Sequence, residues 1–139
     1  MEDGSRFDCR TKMSKRTAYA IFLVILVPLG LSTKFYTGVA ADWVYKYGGD
    51  IFYPAFGYFL IKLLRPDFSM VKTAFIVLFF CFTVEMSQLI DDPLFRWGRH
   101  HFLGRVLLGT DFSWWDIAYY AVGCSASMAL DLSIDRTRD

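Results

Sequence analysis

The sequence predicts an all-α, polytopic membrane protein, with four transmembrane helices in a compact bundle. Three observations predict it. The 139 residues are 55% hydrophobic before glycine is counted, whereas soluble domains reach about 45–50% with glycine included. Four apolar runs approach the roughly 17–25 residues that a membrane-crossing helix needs. The acidic residues at the edges of those runs gather toward one end of the expected bundle.

The first run, about 17–33, has no charge between Arg16 and Lys34. Its basic preface also suits a cleaved signal peptide, but three further apolar runs favour a span. The second, about 48–64, is the most polar, with Asp50 at its start and Lys62 near its end. Lys62 is expected to snorkel to the interface. Pro54 falls in the first turn, where proline does least harm, or else kinks the helix. Arg65-Pro66-Asp67 stops it. The third run, about 71–90, carries Glu85 and Gln88. The fourth, about 116–132, is rich in small residues, and Gly123-x-x-x-Ser127 is a pattern that lets helices approach closely in lipid. The transmembrane domain is thus expected over 16–132. It is flanked by a disordered cytoplasmic N-terminus, 1–15, and a cytoplasmic tail, 133–139. Between spans three and four, Phe102 to Gly109 is expected to form a short interfacial helix.

Orientation follows the distribution of Lys and Arg. With the N-terminus cytoplasmic, Arg6, Arg10, Lys12, Lys15, Arg16, Lys62, Arg65, Lys72, Arg136 and Arg138 lie inside. Lys34, Lys46, Arg96, Arg99 and Arg105 lie outside. Ten against five predicts both termini cytoplasmic, in a multi-pass protein of the cell inner (cytoplasmic) membrane. All four tryptophans, Trp43, Trp97, Trp114 and Trp115, then form an aromatic belt on the outer side.

The candidate site follows from this topology. Glu85 lies fourteen residues beyond Val71, about 21 Å along a helix, in the outer third of the hydrocarbon layer. Gln88 shares its face three residues on. Asp50 and Asp116 open spans two and four at the same level, where the helix dipole favours negative charge. Arg105 is available from the outer loop and is expected to fold back and pair with Glu85, with Lys34 as the other cation in reach. Tyr120, Gly123 and Ser127 continue a polar and small stripe down span four. Each residue also has a plain structural role: Glu85 and Gln88 as interhelical glue, Asp50 and Asp116 as helix caps, Arg105 as a headgroup contact. Together they are costly in a membrane unless they pair or bind something.

Other chemistry is not indicated. Net charge is +1, which gives no basic field for nucleic acid. Cys9, Cys81 and Cys124 are odd in number and form no metal or disulfide motif. Adjacent His100 and His101 read as interfacial polar residues. No cofactor or metal is expected, and the sequence says nothing of oligomeric state.

The stretches GLSTKFY (30–36), GGDIFY (48–53), EMSQL (85–89), LGRVLLGTDFSWWD (103–116) and YYAVG (119–123) together resemble a family of small bacterial inner-membrane proteins known as a domain of unknown function. The resemblance spans about residues 16–132. A looser one reaches the VanZ-like proteins, whose Glu-x-x-Gln, Arg and helix-opening Asp fall on Glu85, Gln88, Arg105 and Asp116. Arg105 stands farther from Asp116 than is usual there, and Tyr120 replaces a typical Asn, so antibiotic resistance does not carry over. The resemblance implies a four-span membrane protein with a shared polar constellation.

The function expected is binding, without chemistry, of a membrane lipid headgroup or lipid-linked envelope precursor by Glu85, Gln88, Arg105, Asp116, Asp50, Tyr120 and Lys34. The alternatives are an enzyme acting on a lipid-linked substrate, with Glu85 or Asp116 as base, a proton-coupled carrier, and a structural subunit of a membrane complex. No nucleophile, metal spacing or phosphate loop supports the enzyme.

Overall fold

The computed structural model describes residues 14–90, 92–108 and 112–136. The chain begins with α1 (Lys15–Ser32), capped by Ser14, whose hydroxyl accepts the Thr17 N–H at 3.3 Å. A loop leads to α2 (Ala41–Trp43), which runs through a π-helical segment, Val44–Gly48, into α3 (Gly49–Leu64). After the turn at Arg65, Ser69 caps α4 (Met70–Gln88) by accepting the Lys72 N–H at 3.2 Å. Asp92 caps α5 (Pro93–His100), with Pro93 in the first turn where its missing N–H costs nothing. Then come α6 (Phe102–Leu108) and α7 (Trp114–Arg136).

The helices fall where the apolar runs predict them. A short helix, α6, stands over Phe102–Leu108 where an interfacial one is expected, and packs against both α5 and α4; Gly109 lies outside the described residues. The last helix continues to Arg136, so most of the segment expected as a tail is helical. Residues 1–13 of the expected disordered N-terminus lie outside the described residues.

Three helices, α1, α4 and α7, are long and apolar enough to cross a membrane, the mark of a multi-pass membrane protein. The expected fourth span is not matched by one long α-helix. The switch to π-type hydrogen bonding at Val44–Gly48 divides this run, and α3 alone has 16 residues.

Long-range contacts define two ends. Tyr19 near the start of α1, Tyr58 and Lys62 late in α3, and Asp131 late in α7 meet at one. Glu85 late in α4 meets Ser113 and Tyr120, at the start of α7, at the other. α3 is the hub, packing on α1, α7 and α4. The core between the ends comprises Tyr19, Tyr58, Phe59, Ala74, Val77, Cys81, Tyr120 and Cys124, with Phe22 stacked on Phe59 at 4.9 Å between ring centroids. Cys81 and Cys124 are buried free thiols. Outward faces carry Val24, Phe75 and Phe79, each 73% exposed, and many smaller apolar neighbours. Apolar surface of this extent suits lipid rather than water.

The small-residue pattern on α7 does what its spacing suggests. A Cβ on Gly123 would lie 2.7 Å from Pro54 Cγ and closer still to the Ile51 carbonyl oxygen. Only glycine lets α7 approach the α3 backbone there.

Lys62 departs from expectation. It does not snorkel outward: it is 4% exposed and bonded to Asp131 Oδ2 at 2.9 Å, with Asp131 0% exposed. The cause is the turn of α3 that carries Pro54, Tyr58 and Lys62 on the face packed into the bundle. An acceptor waits there, and a second one, the Phe68 carbonyl oxygen, takes another of the ammonium protons at 2.9 Å.

Candidate functional site

The start of α3, the end of α4 and the start of α7 bring Asp50, Glu85, Gln88, Asp116 and Tyr120 together. Glu85 is 0% exposed. Its Oε1 accepts the Ser113 backbone N–H at 2.8 Å. Its Oε2 accepts the Tyr120 hydroxyl at 3.1 Å and the Gln88 amide at 3.3 Å. Gln88 therefore reaches Glu85 from the next turn, as the three-residue spacing requires. All three partners are neutral donors.

Asp116 opens the buried face of α7 and is 8% exposed. The Ser113 side chain lies beside it, yet its Oδ1 is buried with no hydrogen-bond partner among the described residues. Asp50 is half-buried, and the charged groups that act on it are Asp116, Glu85, Lys34 and Lys46. Tyr120 lies within the field of all three carboxylates. Neither Asp50, Glu85 nor Asp116 forms an ion pair among the described residues.

The nearby lysines are held at the rim. Lys34 donates to the Tyr45 carbonyl at 2.8 Å, with its ammonium 4.7 Å from the centroid of the Tyr45 ring. It passes over Gly49, beside Asp50. Lys46 stands 5.2 Å from the centroid of the Tyr47 ring. Both are placed by the π-helical segment, which carries Tyr45, Lys46 and Tyr47. Trp43, Tyr47 and Tyr119 form an adjoining aromatic trio, with the indole N–H donating to the Tyr119 hydroxyl at 3.3 Å. All four tryptophans are exposed at this end.

Arg105 does not join the cluster. It is exposed on α6, and Glu85 is served by Ser113, Tyr120 and Gln88 instead of by its guanidinium. The expected Arg105–Glu85 pair is absent among the described residues. The arginine that returns to the end of α4 is Arg99, whose Nη2 donates to the Ser87 carbonyl at 3.1 Å. A cation at a helix C-terminus is well placed there. Ser87, one residue before the end of α4, has a carbonyl that still needs a donor, whereas the break at His101 between α5 and α6 carries Arg105 away.

A second polar centre lies at the opposite end. Asp131 Oδ1 accepts the Tyr19 hydroxyl at 2.6 Å, and Oδ2 accepts the Tyr58 hydroxyl at 2.8 Å and the Lys62 ammonium at 2.9 Å. Each carboxylate oxygen is thus occupied. The arrangement ties α1, α3 and α7 together. The sequence carries its signal: Asp116, Tyr120, Ser127 and Asp131 share one face at helical spacing, and all four are buried.

No group of three or more His, Cys, Asp or Glu among the described residues could hold a metal ion. Residues 39–124 match the family model described as a protein of unknown function (DUF2809). No solved structure matches the chain.

Proposed function

The chain belongs to the DUF2809 family, proteins of unknown function, and from that premise we propose that it is a four-span protein of the cytoplasmic membrane that binds an amphipathic ligand at the carboxylate end of its bundle. The ligand is a lipid headgroup or a lipid-linked envelope precursor, held without chemistry. One observation carries this: three carboxylates converge at the end of an apolar bundle, and no protein cation pairs with any of them among the described residues. Charges so placed are expensive unless something binds them.

The fourth span in this reading is the run 41–64, two α-helical pieces joined by the π-helical segment Val44–Gly48. At about 1.5 Å per residue it reaches roughly 35 Å, enough for a hydrocarbon layer about 30 Å thick. The Lys and Arg bias supports cytoplasmic termini and carboxylates at the outer face. Exposed Trp43, Trp97, Trp114 and Trp115 at that end suit an interfacial belt.

The test is what co-purifies. Native mass spectrometry of gently extracted wild type is expected to show a retained lipid-like mass. The double variant Asp50→Asn with Asp116→Asn should lose it at normal abundance, and with a Tm unchanged or raised, because removing crowded carboxylates relieves repulsion. If the cluster only packs helices, the variant instead loses abundance and Tm. A wild type without adduct, or a variant that keeps it, contradicts the proposal.

A further inference from the structure

We infer that the group seated against Asp116 is a primary ammonium, so that the ligand is a zwitterionic headgroup with its amine inward and its phosphate at the lysine rim. This rests on the binding role proposed above and adds the ligand's chemistry. Two independent features carry it. The first is the orphaned Asp116 Oδ1: the residue is 8% exposed, and this oxygen meets no donor among the described residues. Leaving a buried carboxylate oxygen unsatisfied is costly, so a hydrogen-bond donor belongs there. The second is the sign of the surroundings. Glu85 is satisfied by three neutral donors, which stabilise its charge without cancelling it, and Asp50 and Asp116 lie within its field, with Lys46 acting on both aspartates and Lys34 on Asp50 from the rim. The site therefore asks for a donor that is also a cation.

The candidates narrow by chemistry. The described residues offer no set of ligands for a metal ion. A quaternary ammonium is a cation without an N–H and would leave Oδ1 unserved. A primary ammonium brings three donors and one charge, enough to reach Asp116 while facing Asp50. Lys34 and Lys46 do not fill this place. The Lys34 ammonium is turned to the Tyr45 carbonyl and ring, and that of Lys46 to the Tyr47 ring. From that rim they suit an anionic group one short linker away from the amine. An aminoethyl phosphate headgroup has that polarity. An anionic headgroup without an amine would place negative charge against three carboxylates.

The full-length protein in detergent, titrated with defined probes and followed by native mass spectrometry, tests this. Dioleoyl phosphatidylethanolamine is expected to bind about tenfold more tightly than the phosphatidylcholine or phosphatidylglycerol of the same chains, the worth of a charged hydrogen bond. Asp116→Asn should bring ethanolamine lipid down to the phosphatidylcholine level. Asp50→Asn should weaken it while leaving its rank, and thermal unfolding of each variant checks that the fold is kept. Equal or tighter binding of phosphatidylglycerol overturns the ammonium inference and leaves the headgroup-binding role standing. Failure of every lipid to bind removes both. Free phosphoethanolamine displacing the lipid at equal concentration would assign the site to a soluble amine and overturn the lipid source.

Discussion

Asp131→Ala is expected to destabilise the protein by about 3–5 kcal/mol, the usual cost of stranding one member of a buried ion pair. The variant leaves the Lys62 ammonium inside the bundle with the Phe68 carbonyl as its acceptor among the described residues, and removes Asp131 as an acceptor for the Tyr19 and Tyr58 hydroxyls. Three helices lose a shared anchor at once. The paired change Asp131→Leu with Lys62→Met should be much milder, because no charge is then stranded. Thermal unfolding in detergent, arranged as a double-mutant cycle, measures the coupling. Simple additivity of the single effects would mean that the pair does not hold the helices together.

The second large effect is expected at Gly123. In an exposed helix Gly→Ala gains about 1 kcal/mol. At Gly123 the added methyl meets Pro54 Cγ and the Ile51 carbonyl oxygen, and the α3 backbone cannot step aside as a side chain would. Gly123→Ala is therefore expected to cost about 1–3 kcal/mol, and Gly123→Leu more. Gly57→Ala is the control, since its Cβ meets only Val77 methyls at 3.6 and 3.8 Å, ordinary contact distances. It should be neutral or stabilising. Equal Tm values for the two alanine variants would show that α3 and α7 do not approach closely.

Periodicity and hydropathy made the four helical runs legible in the sequence, because an apolar run and its proline and charge boundaries are local. Spacing also made the Glu85–Gln88 contact and the buried face of α7 legible. What escaped was long-range. Nothing near Ser113 in sequence shows that its backbone N–H, 28 residues on, satisfies Glu85. Arg105 and Arg99 are both arginines of the segment between α4 and α7, and only the division into α5 and α6 decides that Arg99 returns to α4. Lys62 near a helix end looked free to snorkel, a fair rule for a lysine judged alone. Its partner Asp131 lies on another helix, and the rule fails once the two faces meet. The π-helical segment likewise has no composition of its own, yet it sets the lysine rim.

Cysteine accessibility in intact cells tests most directly whether the carboxylate cluster is a site open on the outer face. In a Cys9→Ser background the native Cys81 and Cys124 are buried. A single Asp50→Cys is expected to react with a membrane-impermeant maleimide added outside. Asp67→Cys, exposed in the turn between α3 and α4, is expected to react only after the membrane is opened. Labelling of Asp67→Cys in intact cells with Asp50→Cys silent would place the cluster on the cytoplasmic side and contradict an outer headgroup site.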